Sequence, residues 1–233
     1  MGFFDAYTRF REAGTVRLNA RYEALIDRHR TWITGKRVLD VGSHDGRWAF
    51  AALSCGATHV VGIEPRPELV AAAEDNLLAY GVSPSRFSFY IGSVEQVMRN
   101  AELQVETALV FGVLYHLHDH VGLFQMLRGS GADTLIIDTA LSPDHSEAKW
   151  YSRTVALLTE PVDNVMNAAS ELFPGSGKAI VSHPSRAAVR FLAEQFEFVS
   201  TEVDWPPFLE TWGTDGLSDY AEDKRTTFVL HRP

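Results

Sequence analysis

The sequence predicts an α/β protein built on a doubly wound, mostly parallel sheet of seven strands, with an antiparallel hairpin at its C-terminal end. Three observations carry this. Strand-like and helix-like segments alternate at close spacing from residue 37 to residue 138. The strands in that stretch are near-continuous apolar runs, the pattern of parallel strands covered on both faces. The last two strand-like runs are joined by an aromatic loop rather than by a crossover helix, which marks them as an antiparallel pair. Right-handed crossovers between the parallel strands then place helices on both faces of the sheet.

Residues 1–35 read as an N-terminal helical segment, with Ala20, Leu25 and Ile26 as a modest apolar face and Gly35 as its end. Residues 36–233 make the main domain. Its first strand is 37–41, and Trp48 to Leu53 is helical in character, stopped by Gly56. A second strand, 59–64, ends at Pro65 and Pro67, which cannot continue a central strand. Residues 68–80 read as a helix with Gly81 just beyond it. Strands follow at 86–91 and 107–111, then a helix from about 119 to 127, then a buried strand at 133–138. From 141 to 184 the rhythm fails over a length too great for a plain αβ loop. This segment is expected to be a partly helical insertion that covers the substrate. The rhythm resumes with a helix at 185–195, a strand at 196–203, the loop Trp205 to Trp212, and a closing strand at 224–230.

Composition narrows the function classes. The chain has 233 residues, 45% hydrophobic and 22% charged, enough for one sizeable core. Its net charge of −9, from 21 basic and 30 acidic residues, argues against broad nucleic-acid binding. The one basic cluster on offer is Arg9, Arg11, Arg17, Arg21, Arg28 and Arg30, which equally reads as a solvated helix face. Cys55 is the single cysteine, so an intramolecular disulfide and a cysteine-rich zinc site are both excluded. No basic leader opens the sequence, and no apolar run approaches the roughly 20 residues of a membrane span. A cytoplasmic protein without membrane partners is the expectation; the oligomeric state is not legible.

The loop after the first strand, Asp40-x-Gly42-x-x-x-Gly46, lies where doubly wound sheets bind ligands. Glycine lets the backbone approach a ligand and take positive φ. A dinucleotide fingerprint starting at Gly42 would need glycine at positions 44 and 47, where His44 and Arg47 stand. No Gly-Lys-Ser/Thr follows, so a Walker loop is absent too. A phosphate-free, positively charged cofactor, S-adenosylmethionine, suits the acidic loop better. Glu64, at the end of the second strand, is placed to accept hydrogen bonds from ribose hydroxyls.

Together, Val38 to Gly46, Gly62-Ile63-Glu64, Ile91-Gly92-Ser93 and Val110 to His116 resemble the class I S-adenosylmethionine-dependent methyltransferases. The resemblance covers roughly residues 36–140, with the last two strands matching in order. It implies that Asp40, Gly42 and Ser43 lie along the methionine part of the cofactor and that Gly46 starts the first helix beside it. Glu64 is implied to hold the ribose hydroxyls and Pro65 to lie near the adenine. Members of the family often carry an acid after the third strand to meet the adenine amino group. Here Gly92-Ser93-Val94 stands instead, leaving Ser93 and Val94 as the candidates. Phe111 and Gly112 are implied to line the methionine and the transferring methyl. Gly112 to Leu117 is similar to the branch that holds wobble-uridine tRNA-modifying enzymes and many relatives acting on small metabolites.

Methyl transfer requires alignment of the acceptor and, for a protonated nucleophile, removal of a proton. His116, nearest the expected methyl, is the candidate base or orienting group; its other reading is a cap on the following helix. Tyr115 is a candidate to close over the substrate, or else a wall. The spacing of His116, His118, Asp119 and His120, with Asp138 or Asp144, also raises a metal, but loop residues do not converge on an ion unaided, so no metal is expected. Trp150, Tyr151, Arg153, Trp205 and Trp212 are candidates for an acceptor pocket, or simply pack the insertion on the sheet. Three readings follow: methylation of oxygen or nitrogen on a small-molecule metabolite, methylation of tRNA, or cofactor binding without catalysis.

Overall fold

A computed structural model describes residues 1–142, 153–161 and 178–233. Its main sheet has seven strands in the order β3-β2-β1-β4-β5-β9-β8. The strands are β1 (Arg37–Val41), β2 (His59–Glu64), β3 (Phe87–Ile91), β4 (Thr107–Phe111), β5 (Thr134–Ala140), β8 (Val199–Glu202) and β9 (Arg225–His231). The first five run parallel, and β9 lies antiparallel between β5 and β8. The expected seven-stranded sheet and its C-terminal hairpin are therefore both present. Helix α1 (Thr15–Leu25) precedes the sheet, and the connecting helices are α2 (Arg47–Ser54), α3 (Pro67–Ala79), α4 (Val94–Asn100), α5 (His120–Gly129) and α6 (Arg186–Gln195).

Burial explains the apolar runs. Every residue of β4 is buried, and so are Val38 to Val41 of β1. The edge strand β3 instead leaves Tyr90 and Ile91 exposed. Helix α2 is buried from Arg47 to Leu53 because the N-terminal residues roof it. Phe3 stacks on Tyr22 at 4.0 Å, and Phe4 meets Trp48 edge-on at 5.8 Å. Residues 1–35 thus share one core with α2 and carry α1 across the carboxyl ends of β4 and β5.

The structure adds to one expectation and corrects another. The described parts of the 141–184 insertion include two strands, and the expected helical part lies outside the described residues. β6 (Val155–Pro161) and β7 (Lys178–Pro184) form a separate antiparallel pair, with Leu158 opposite Val181. Side chains beyond β4 anchor it. His118 Nε2 donates to the Ile180 carbonyl at 2.7 Å, and Ser182 Oγ donates to the Leu117 carbonyl. The aromatic loop Trp205 to Trp212 is in fact α7 (Pro206–Trp212), followed by α8 (Ser218–Ala221). The two prolines open α7 rather than break it, because first-turn residues have no intrahelical N–H bond to lose. Helix α4 was not foreseen either; Ser93 starts it by accepting from the Gln96 N–H at 3.2 Å.

Candidate active site

The candidate cofactor residues and Tyr115 and His116 lie at or after the carboxyl ends of β1, β2, β3 and β4. After β1 the backbone takes positive φ three times, at Gly42 (70°), His44 (50°) and Gly46 (80°). The loop is tied to β2 by the Gly42 and Ser43 N–H groups, both donated to the Ile63 carbonyl at 2.9 and 3.0 Å. A Cβ on Gly46 would lie 3.1 Å from the backbone of Ala73 in α3, so the loop needs glycine there for space as well as for φ. His44 takes the left-handed conformation expected of a glycine. Its N–H donates to Glu64 Oε2 at 3.1 Å, and its Nδ1 accepts from Arg47 Nη2 at 3.2 Å. The histidine therefore belongs to the loop and braces it.

Asp40 is 1% exposed, and neither of its carboxylate oxygens has a hydrogen-bond partner among the described residues. Burial raises its pKa to about 7; the Ala49 N–H and Arg47 oppose the rise, and nearby Glu64 and Asp45 add to it. The Ser43 hydroxyl is also buried and unpartnered. Glu64 is equally buried but occupied: its Oε1 accepts from Arg66 Nε at 2.7 Å and from the Arg66 N–H at 3.2 Å. Asp45 is held within the loop by Arg47, through Nε at 2.6 Å and Nη2 at 2.7 Å. The sequence reading missed both arginines, although a buried acid two residues before an arginine in each case is a local signal.

Beyond β4, Gly112 donates its N–H to the Asp138 carbonyl at 2.8 Å, and Trp48 meets Phe111 edge-on at 5.3 Å. A 3₁₀ turn, Leu114–His116, brings the rings of Tyr115 and His116 to 4.1 Å. His183 of β7 approaches Tyr115 at 5.3 Å, and the Arg225 guanidinium lies over the same ring at 5.2 Å. Burial, then Arg225, His183 and Arg66, lower the pKa of His116 to about 4. It is a neutral imidazole at pH 7.

Asp138, at the end of β5, is fully buried and pairs in register with Phe111. Burial alone would raise its carboxyl, but Arg21 and Arg225 override this and hold it below the usual range. Its Oδ2 accepts from Arg21 Nη2 at 2.7 Å and Arg225 Nη1 at 3.2 Å. Its Oδ1 accepts from the Tyr220 hydroxyl at 2.8 Å and from Thr227 Oγ1 at 3.0 Å. Such a carboxylate has no acceptor site to spare for a metal. His118 and His120 turn instead to β7; His120 Nε2 donates to Ser182 Oγ at 3.1 Å, since that hydroxyl's one proton goes to Leu117. Among the described residues no group of three metal-ligating side chains gathers.

The remaining predicted residues are placed as follows. Pro65 and Ser93 follow the ends of β2 and β3, with Ser93 serving as the α4 cap and Val94 buried behind it. Trp205 stacks on Tyr220 at 3.6 Å, Trp212 Nε1 donates to Glu23 at 2.7 Å, and the Arg153 guanidinium lies over Phe191 at 4.3 Å. Trp205 and Trp212 pack in the core shared with the N-terminal residues, while Arg153 lies against Phe191 of α6. Trp150 and Tyr151 lie outside the described residues.

Residues 38–129 match a family model described as a methyltransferase domain. The ribosomal protein L11 methyltransferase of Yersinia pseudotuberculosis is 31% identical over 109 residues, which is 43% of this chain and 37% of that protein. The chain thus spans well under two thirds of that relative's length. An S-adenosylmethionine-dependent methyltransferase from Mesorhizobium loti superposes with a TM-score of 0.63 at 14% identity, over 93% of this chain and all of that one. The N-terminal domain of EvdMO1 with S-adenosylhomocysteine bound gives 0.58 at 17% identity, over 93% of this chain and 79% of that one. At these identities the structural likeness establishes the fold. Among the described residues, no helix is long and apolar enough to cross a membrane.

Proposed function

We infer that this chain, with a methyltransferase domain at residues 38–129 on the class I strand order, is an S-adenosylmethionine-dependent methyltransferase acting on oxygen or nitrogen of a small-molecule acceptor. One observation carries the reading: Asp40 is a buried carboxylate with no charged partner, eased chiefly by the Ala49 N–H, one residue before the end of the strand beside the one that ends in Glu64. An unpaired buried carboxylate is costly unless a cation or donor meets it. The cofactor's ammonium would supply both. The donor set fits the rest of the group as well. Asp40, Gly42, Ser43 and Gly46 would hold the methionine part, and Glu64 the ribose hydroxyls once Arg66 yields its place. Pro65, Ser93 and Val94 would flank the adenine, and Phe111 and Gly112 the reacting end.

When bound, S-adenosylmethionine supplies a methyl group on a good leaving group. The protein's part is to position the acceptor and accept its proton. His116 presents an uncharged imidazole at pH 7 next to the end of β4. A base of such low proton affinity suits an acceptor with an acidic hydroxyl, or an amine that is already neutral. Tyr115, packed between His116, His183 and Arg225, walls this space.

The tRNA reading rests on the N-terminal arginines, and their surroundings favour the small acceptor. Arg17 and Arg21 are paired with Asp219 and Asp138, Arg30 with Asp27, and Arg28 lies over Phe208. Calorimetry with S-adenosylhomocysteine tests the proposal: one-to-one binding is expected, and no binding overturns it. Salt-insensitive turnover on small acceptors is the expected second result. Tight RNA binding that falls steeply with salt would replace the acceptor class.

A further inference from the structure

We propose that Arg21 and Arg225 form a subsite for an anionic group, a carboxylate or a phosphate ester, on the acceptor. This rests on the methyltransferase reading and deepens it. The location comes first. Asp138, which both arginines hold, pairs in register with Phe111, one residue before Gly112. Arg21 lies over Trp48, whose ring meets Phe111, and Arg225 lies over Tyr115, beside His116. The two guanidinium groups therefore flank the end of β4, where the reacting methyl would lie.

Charge is the second observation. Among the described residues the network joins three cations, Arg17, Arg21 and Arg225, with two carboxylates, Asp138 and Asp219. Burial lifts Asp219, but Arg17 and Arg225 bring its carboxyl down to about 2, so both acids are ionised at pH 7. Tyr220 is protonated, its pKa raised by burial, and His116 and His183 are neutral, lowered first by burial. One positive charge is left over, in a place where water screens poorly.

Donors are the third. Asp138 accepts four hydrogen bonds, and Asp219 takes Arg17 through both oxygens and Arg225 Nε at 2.7 Å. Those acceptors are filled, yet Arg21 Nε is buried without a partner, and Arg225 Nη2 makes no hydrogen bond among the described residues. Arg21 and Arg225 side chains are 13% and 10% exposed, so both guanidinium groups are largely withdrawn from bulk solvent. A surplus cation and a buried donor left without a partner are both features that a bound anion would satisfy. Two planar guanidinium groups converging on one oxygen, with donors remaining, are matched to a carboxylate or phosphate that bonds both.

The test uses protein saturated with S-adenosylhomocysteine and three probes of one shape: benzoate, phenyl phosphate and neutral benzamide. Calorimetry measures affinity, and NMR follows the Nε–H signals of Arg21 and Arg225. At least one anion is expected to bind ten times more tightly than benzamide and to shift both signals saturably; which anion does so separates the carboxylate from the phosphate. In Arg21→Gln the preference should shrink below threefold. Arg21→Lys keeps the charge but not the fork, and serves if the glutamine variant does not fold; it should weaken the preferred anion while leaving benzamide unchanged. Equal binding of all three probes, or unmoved arginine signals, overturns the subsite while leaving the methyltransferase reading intact. Failure to bind S-adenosylhomocysteine overturns that reading, and the acceptor role with it.

Discussion

Replacing Asp40 by Asn should make the protein more stable as the pH rises, while weakening its hold on the cofactor. The carboxyl moves from an ordinary value of 3.8 to about 7 on folding, about 3 units. At 1.36 kcal/mol per unit this is on the order of 4 kcal/mol. The sign follows from which state keeps the proton. The folded pKa is raised, so between about pH 4 and pH 7 the folded chain holds a proton that the unfolded chain has lost. Stability from this group is therefore present at pH 4, falls as the pH climbs to about 7, and stays lost above it. Asparagine does not titrate. Urea denaturation should show the variant and the parent within about 1 kcal/mol of their baseline difference at pH 4, and the variant gaining up to about 4 kcal/mol by pH 8. Binding of the cofactor's ammonium should ionise Asp40 in the parent. At pH 6, calorimetry in two buffers of different ionisation enthalpy should then report close to one proton released. The variant should release none and bind S-adenosylhomocysteine at least tenfold more weakly. A stability gap that is the same at pH 4 and pH 8, or a buffer-independent heat at pH 6, would refute the reasoning.

Gly46→Ala should cost about 2–4 kcal/mol in urea denaturation, from a left-handed φ and a Cβ pressed against Ala73 and Leu77. His44→Gly should change stability by no more than about 1 kcal/mol, because relief of the left-handed φ offsets the lost brace on Arg47; a larger loss would mean that the ring does more than brace. His116→Asn should lower kcat/KM by about 10²-fold with a supported acceptor and leave S-adenosylhomocysteine affinity unchanged. Unchanged turnover removes it from the proton transfer.

The sheet was legible because its signals are local. A run such as Thr107 to Phe111 is apolar throughout because both its faces are covered, and glycines 42 and 46 mark a loop wherever the rest of the chain goes. The cofactor loop was legible for the same reason: Asp40 and Glu64 close adjacent strands, and strand ends can be read from the sequence. His44 was harder, since only the backbone shows a histidine holding the angle of a glycine. The β6–β7 pair escaped because its strands lie in a stretch with no clear period, and α7 because two prolines read as a break when they open a helix.

On the other side of the site the pairing of arginines with buried acids was not legible. Arg21 and Asp138 are 117 residues apart, Asp138 and Arg225 are 87 apart, and Arg17 and Asp219 are 202 apart. In the sequence Arg17 and Arg21 belong to a scatter of N-terminal charges. Only tertiary packing, which lays α1 over the ends of β4 and β5, turns them inward against buried acids. The cofactor half of this protein was written in local patterns of apolar runs, glycines and strand-end acids. The proposed acceptor subsite rests on long-range ion pairing, which leaves no period and no spacing in the sequence.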